Sequence, residues 1–418
     1  VLLTYEDCNE VRYGKFTQSI YTPYAYHLSI DGKHDTGTQR PAVYELAGED
    51  ASFALVTSTG GSQERTLRAR AADFVWAEDF GLIGESAVEN TATINAAIAA
   101  VVNGTVRVPG TTILYTTLEL GDEVVIEGAG DGVTILTSTT GDVVNTISGD
   151  NSGFRNLTLD GVNLTEDSVG IYSENRTNLI LDHVTVKRFE TNLYHKGGAH
   201  HKYRMLNLEN SATQAKFHGD GEPFYGLDWV GGHVNISTAN GLELKVIDSA
   251  VYNNHIDVDA YGDNIGTCAV LLYGAQDTFL SQPEWSGNTV NIRAEDNPDT
   301  TIADRQCFGF HLEGGTINDG ALQFDGLCQD FLFERVTFGT VTVALSTPEN
   351  PIVAKDCVEV DVVLSGDTTK WMRVRQASRG SVFVQTSDGT VTTAFKIPLE
   401  QNEVRLEGSP SYPRSEEH

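Results

Sequence analysis

The segment between Ala71 and Ser138, AADFVWAEDFGLIGESAVENTATINAAIAAVVNGTVRVPGTTILYTTLELGDEVVIEGAGDGVTILTS, contains one helical pattern followed by a series of short strands. Ile94, Ile98 and Val101 recur at intervals of four and three residues, which places them on one stripe of an α-helix. We predict a helix over residues 91–102. Its position before the strands indicates that it covers the open end of a β-sheet stack, whose apolar core would otherwise meet water.

The ends of this helix carry their own signals. Asparagine often caps helix N-termini, so Asn90 is the predicted N-cap. Asn103 followed by Gly104 is typical of a helix C-terminus. Beyond Gly104 the apolar period changes from about 3.6 to 2, beginning with Val106 and Val108. The sequence therefore predicts one helix and then strands.

Several phrases in this segment match a known family in order and spacing. They are Asp79-Phe80-Gly81, Gly84, Thr93-Ile94-Asn95-Ala96-Ala97-Ile98, Gly104-Thr105-Val106-Arg107-Val108-Pro109-Gly110, Ile126-Glu127-Gly128-Ala129-Gly130 and Thr134-Ile135-Leu136. They resemble the opening of the pectate-lyase-like superfamily, which includes phage tailspikes and polysaccharide lyases. The resemblance implies an all-β chain, a right-handed parallel β-helix with an N-terminal capping helix. It says less about chemistry, because many functions share one scaffold.

A short phrase recurs along the middle of the chain. Asn156-Leu157-Thr158-Leu159-Asp160 returns as Asn178-Leu179-Ile180-Leu181-Asp182. Looser copies begin at Met205, Val234, His255, Val290 and Phe331. A period of roughly 20 to 30 residues with one such strand in each repeat is typical of a solenoid. Asparagine at the strand edge suits left-handed backbone bends between the faces of such a solenoid.

The character of the sequence changes twice, which predicts three domains. Residues 1–71 lack the repeat and form an N-terminal β adaptor or arm, with early coils of the same domain as the alternative. Residues 72–345 form the parallel β-helix. Residues 346–418 follow a proline-rich break, Thr347-Pro348-Glu349-Asn350-Pro351, and form a C-terminal β module, with the last coils of the β-helix as the alternative. In tailspike-like proteins such a module commonly holds three chains together, so the resemblance implies a homotrimer.

The charge of the chain limits its partners. It has 28 Lys and Arg against 58 Asp and Glu, a formal net charge of −30. The electrostatic field of this negative charge repels nucleic acids and anionic membranes at long range, so we expect neither as a partner. No run of about 18 apolar residues is present, and no membrane insertion is predicted.

The cysteines and glycine-rich phrases suggest no cofactor. Five widely spaced cysteines, an odd number without a Cys-x-x-Cys pair, indicate free thiols and neither a disulfide framework nor a zinc site. The phrase from Gly128 to Gly132 precedes a strand and not a helix, which argues against a dinucleotide loop. We predict no metal and no organic cofactor.

Two groups of carboxylates are candidates for glycan cleavage. Asp220 and Glu222 lie in one acidic cluster, and Asp257 and Asp259 lie in another, one or two predicted coils later. Neighbouring parallel strands are about 4.8 Å apart. Carboxylates on adjacent coils would approach the separation of about 5 to 5.5 Å used by retaining glycosidases, and wider spacing suits inverting ones. We predict that one residue of each cluster forms a catalytic pair. Chance clustering in so acidic a chain is the alternative.

Cationic and aromatic side chains in the same region are candidates for substrate binding. The segment from Tyr194 to Arg204, YHKGGAHHKYR, is a cationic island, interpreted as a loop that its glycines bring close to a sugar chain. A uronate lyase needs such a cation and a base. The predicted substrate-binding residues are His201, Lys202, Arg204, Tyr225, Trp229 and Tyr261. A solvated loop without a role is the alternative.

Three functions fit these patterns. The first is a homotrimeric phage tailspike, part of the virion, that binds and depolymerises a host surface polysaccharide and joins other tail proteins through residues 1–71. The second is a secreted bacterial polysaccharide lyase or glycoside hydrolase. The third is a receptor-binding spike without catalysis. Mass in solution separates the first from the second, and glycan cleavage separates enzyme from binder.

Overall fold

The computed structural model describes 74–82, 86–101, 103–138, 143–162, 167–247, 249–259, 268–281, 284–285, 288–295, 306–324, 331–338, 340–345 and short strands elsewhere. Those short strands are Leu2–Leu3, Tyr44–Glu45, Leu55–Val56, Arg65–Thr66, Ile352–Lys355, Val360–Gly366, Met372–Arg375, Gly380–Gln385, Val391–Lys396 and Val404–Arg405. The chain divides into two compact units, 1–75 with 99–105, and 76–98 with 106–418.

The second unit is a right-handed parallel β-helix, as predicted. Each coil crosses three faces, and its strands pair in parallel with those of the coils before and after it. Face A contains Val125–Glu127, the first halves of Gly153–Asp160, Ile180–Lys187, Lys202–Ser211 and Asp228–Ser237, then Val251–Asp259, Gln276–Ser281, His311–Glu313 and Phe331–Glu334.

The other two faces complete each coil. Face B contains Thr112–Tyr115, Ile135–Ser138 and the second halves of the four long face A strands. Face C contains Leu118–Leu120, Val143–Ile147, Val169–Thr177, Thr191–Ala199, Thr213–Gly219, Asn240–Val246, Cys268–Tyr273, Val290–Glu295, Ala321–Phe324 and Thr340–Leu345. Glu284–Trp285, Thr316–Ile317 and Thr337–Phe338 form a separate three-stranded parallel sheet. Phe224–Tyr225 is a short strand between faces C and A.

Side chains alternate between the interior and the solvent along the strands. On face A, Leu181 pairs with Tyr203 on the next coil, and Tyr203 pairs with Trp229 on the coil after that. All three side chains are fully buried. Their strand neighbours point outward, which is why the strands show alternating apolar and polar residues in the sequence.

Left-handed residues turn the chain between faces. Asn156, His183 and Met205 have φ values of 53°, 53° and 49° at the bend from face A to face B. Asn178 and His200, at 55° and 58°, occupy the bend from face C to face A. The predicted role of asparagine in these bends is confirmed, because Asn tolerates this backbone region better than most residues.

The capping helix spans Ala87–Ala100 and packs on the first coils. Ile94 and Ile98 are buried, as predicted. The predicted N-cap at Asn90 is wrong, because the helix begins one turn earlier. Asn90 is buried inside it and its Nδ2 donates to the carbonyl of Leu114 at 2.9 Å. The Ser86 side chain lies in the capping position and accepts from the Glu89 amide at 3.5 Å.

Parallel pairing continues beyond Leu345, through Val360–Gly366 to Gly380–Gln385. Val391–Lys396 and Val404–Arg405 then pair antiparallel. The three-domain division stays a prediction. Cys268 and Cys307 are buried thiols, as expected; Cys8, Cys328 and Cys357 lie outside the described residues.

We expect Ile98→Asp to prevent stable folding of the first coils. Ile98 is 8% exposed, so its replacement forces an unpaired charge into the cap, at a cost of more than about 3 kcal/mol. Thermal unfolding and light scattering measure the effect. Val88→Asp is the control, because Val88 lies on the same helix and is 70% exposed. Equal stability of the two variants would contradict a capping role.

Met205→Asn should stabilise the protein. Met205 has a φ of 49° and is 48% exposed, so asparagine relieves left-handed strain at little packing cost. The expected gain in the free energy of unfolding is roughly 0.5 to 1 kcal/mol. Chemical denaturation measures it, and Asn178→Ala should lower stability by a similar amount. A destabilised Met205→Asn protein would show that the methionine side chain contributes more than the bend costs.

Candidate functional site

The predicted site residues lie on two different faces. Asp220 and Glu222 form a tight turn that directly follows the face C strand Thr213–Gly219. Lys202, Arg204 and Asp257 lie on face A. Asp220 contacts Lys196, whereas Asp257 accepts a hydrogen bond from Ser281, so these two carboxylates have different partners.

The cationic island from Tyr194 to Arg204 is not a loop. It consists of the end of the face C strand Thr191–Ala199, a one-residue bend at His200, and the start of the face A strand Lys202–Ser211. Successive side chains therefore point alternately inward and outward. This alternation divides the island between the core and two separate surfaces.

Two predicted substrate-binding residues lie in the core. Trp229 is fully buried and its indole N–H donates to the Gly231 carbonyl at 3.1 Å. His201 is also fully buried, with its ring 5.0 Å from that of His195. Burial, and to a smaller degree the charge of His200, lowers the pKa of His201 to about 3, so the ring is neutral. Both side chains therefore belong to the core and not to the outer surface.

Tyr225 lies at the corner between faces C and A. Its ring stacks on that of Tyr252, with centroids 5.0 Å apart and planes 4° apart, and His200 meets it edge-on at 5.2 Å. This aromatic corner follows the Asp220–Glu222 turn in the chain. The Asp259 side chain and Tyr261 lie outside the described residues.

Lys196 is the centre of a charged cluster on the outer surface of face C. Its ammonium lies 3.2 Å from the Asp220 carboxylate and 3.5 Å from that of Glu174. The hydrogen bond and charge of Asp220 raise the pKa of Lys196, so it stays protonated. Because Glu174 Oε1 and Asp220 Oδ2 contact the same nitrogen atom, their separation cannot exceed the sum of these two distances.

Two tyrosines flank this cluster. Tyr172 donates to the Glu174 carboxylate at 2.9 Å, and its ring is 5.6 Å from that of Tyr194. Partial burial and the bond to Glu174 raise the pKa of Tyr172 to about 12. Burial also raises the pKa of Tyr194. Both phenols are therefore neutral hydrogen-bond donors at neutral pH, with aromatic faces suited to sugars.

A histidine and a glutamate lie on the next coils of the same face. His218 Nε2 is 2.9 Å from Glu243 Oε1, and the ring packs 5.0 Å from that of Tyr194. Burial acts to raise the pKa of Glu243, but the hydrogen bond and charge of His218, together with the charge of Lys216, outweigh burial and lower it. Glu243 is therefore ionised and holds the His218 ring against Tyr194.

Sequence reasoning missed Glu174, Tyr172 and Glu243, although a signal for the first two was present. Glu174 pairs with Lys196, and Lys196 pairs with His218. Each of these steps equals the interval between the two asparagine phrases. Extending the 22-residue period from the strands to the charged residues beside them would have aligned Glu174 with Lys196 and His218.

Within the part of the chain that the structure describes, no group of three or more His, Cys, Asp or Glu side chains could hold a metal ion. None of the described helices is long and apolar enough to cross a membrane.

Comparison with known proteins identifies the fold. No protein-family model and no curated protein matches the chain. A solved structure from Geobacillus virus E2, ORF18, is similar with a TM-score of 0.57 and 14% identity over 89% of this chain and 81% of that one. Lower similarity is found to PfbA, a Streptococcus pneumoniae surface adhesin (TM-score 0.45, 9% identity, 82% and 100% coverage), and a Yersinia enterocolitica family 28 exopolygalacturonase (TM-score 0.42, 11% identity, 81% and 83% coverage).

At these identities the likeness concerns architecture alone. The viral protein matches along most of both chains, which agrees with the parallel coils and their bends. The chain thus has the right-handed parallel β-helix fold that its opening segment predicted.

Proposed function

We propose that this chain is a phage tailspike-type virion protein that binds a host surface polysaccharide and cleaves it on face C. The observation that carries the proposal is the arrangement of Glu174 and Asp220 on either side of Lys196. The fold shared with a protein of Geobacillus virus E2 supports the viral context. A homotrimer, joined to other tail proteins through residues 1–71, is part of the same proposal.

The two carboxylates are close enough to act as a pair in glycoside hydrolysis. Glu174 Oε1 and Asp220 Oδ2 lie 3.5 Å and 3.2 Å from one shared ammonium, and the sum of these distances limits their separation. That upper limit permits the retaining separation of about 5 to 5.5 Å and the lower end of the inverting range of about 6.5 to 9.5 Å.

The chemistry follows from this spacing. One carboxylic acid protonates the glycosidic oxygen as the bond to the anomeric carbon breaks. The other carboxylate attacks that carbon or activates the water that does. Lys196, which stays charged, stabilises the ionised carboxylate.

The aromatic side chains position the substrate in this proposal. Tyr172 and Tyr194 lie on one side of Lys196. On the other side, the Asp220–Glu222 turn leads to the stacked rings of Tyr225 and Tyr252. A sugar chain crossing face C would meet phenol groups and ring faces before and after the carboxylates, which orients it without further charge.

A catalytic role for the cluster predicts the effect of amide substitutions. Asp220→Asn and Glu174→Gln should each lower turnover by roughly 10²- to 10⁴-fold, because shape is kept while proton transfer or nucleophilic attack is lost. Reducing-end assays on capsule and lipopolysaccharide of candidate hosts measure cleavage, and ultraviolet absorbance detects the double bond formed by elimination.

Asp182→Asn is the matched control for these variants. It is the same chemical change on an exposed position of face A, and it should leave turnover unchanged. Asp257→Asn and Glu222→Gln test the other predicted catalytic residues. Loss of activity in Asp257→Asn with full activity in Asp220→Asn would move the site to face A. Glycan binding without cleavage by the unsubstituted chain would favour a binding-only spike.

The tailspike assembly predicts three chains per particle. Sedimentation equilibrium or mass photometry of the full chain should give three times the mass of one chain across a range of concentrations. A stable monomer at all concentrations would contradict the tailspike proposal and favour a secreted hydrolase or lyase.

A further inference from the structure

A row of outward side chains on face A is not used by the proposed site. Asp228, His255, Phe279 and His311 pair in sequence on four consecutive coils. The ring centroids of His255 and Phe279 are 5.1 Å apart, and those of Phe279 and His311 are 5.0 Å apart. All four side chains are partly exposed. The row therefore presents three neighbouring rings to solvent along the helix axis.

Carboxylates hold both ends of this row. Asp228 Oδ1 is 3.2 Å from His255 Nδ1, and its other oxygen is 2.5 Å from the Arg204 guanidinium. At the far end, His311 Nε2 is 3.5 Å from Glu334 Oε2. These contacts restrict the imidazole rings before any ligand arrives, which lowers the entropy lost on binding.

The hydrogen-bonding groups beside the row are also arranged by the coils. Asp257, Ser281 and Glu313 follow one another in the next outward column of face A. The Ser281 hydroxyl donates to the Asp257 carboxylate. The rings thus lie next to the partly exposed carboxylates of Asp257 and Glu313, with the buried Ser281 hydroxyl between them.

This chemistry fits a carbohydrate better than a protein. Protein interfaces have an apolar core surrounded by a polar rim, whereas this row of rings is one side chain wide. A pyranose offers an apolar C–H face to an aromatic ring and hydroxyl groups at its edge. Since coils repeat about every 4.8 Å, successive sugars of a chain laid along the axis could each meet one ring.

We propose that the row of His255, Phe279 and His311 is a second carbohydrate-binding surface, on a different face from the proposed cleavage site. It holds a glycan chain along the helix axis and performs no chemistry. Lys202 and Arg204, predicted as substrate-binding residues, lie at one end of the row. The inference goes beyond the proposed function and does not depend on cleavage.

Binding to a glycan array tests this surface. The array carries bacterial capsular polysaccharides, lipopolysaccharide O-chains and plant cell-wall oligosaccharides, and the full chain carries Asp220→Asn in every arm to suppress cleavage. Phe279→Ala removes the central ring. We expect this change to weaken binding of the glycans that the Asp220→Asn protein binds by roughly three- to tenfold, as expected for one ring contact. Phe279→Tyr keeps the ring and should restore binding, and thermal unfolding confirms that both variants are folded.

Each result decides one question. Unchanged affinity in both Phe279→Ala and His255→Ala overturns the second surface, even if the unsubstituted chain cleaves glycans. Failure of the full chain to bind any glycan on the array overturns it as well. Absence of cleavage by the unsubstituted chain, together with Phe279-dependent binding, overturns the proposed hydrolysis and leaves the second surface standing.

Discussion

The left-handed bends between faces are the constraint on which the rest of the structure depends. Each coil must turn sharply at one residue and still place every backbone N–H and C=O opposite its partner on the coils above and below. A shift of one residue at a bend would exchange the inward and outward side chains of the following strand. Met205 occupies such a bend although methionine does not favour positive φ. Methionine therefore accepts an unfavourable backbone conformation at this bend, which keeps the strands on both sides of it in register.

Polar groups inside the β-helix support the proposed site from beneath. The Ser173 hydroxyl contacts Nδ1 of His195, and Nε2 of His195 contacts the Tyr203 hydroxyl. Burial and the proximity of His201 lower the pKa of His195, so this ring is neutral. Ser173 directly precedes Glu174, and His195 directly precedes Lys196. The interior contact thus fixes two adjacent strands whose outward side chains form the charged cluster on face C.

The fold can be predicted from the sequence because apolar periodicity and asparagine bends, as at Asn156 and Asn178, are local signals. The N-cap prediction at Asn90 is wrong because its hydrogen bond to Leu114 joins residues 24 positions apart, which no local pattern reveals. The site is harder to predict, because it depends on which way each side chain points. Cations and aromatics in a glycine-rich segment suggest a loop, but strand alternation directs some of them, such as Tyr203, into the core.

The strict alternation of side chains has a consequence for how such a protein can change. Residues that fold the chain, such as Leu181, Tyr203 and Trp229, are physically separated from those that meet the environment. Outward positions can be exchanged coil by coil with little effect on the core, since each contacts mainly its neighbours on the same face. A lineage carrying this scaffold can therefore acquire a new recognition surface through a few substitutions and keep its architecture. Very low sequence identity between proteins of the same shape is the expected result of that freedom.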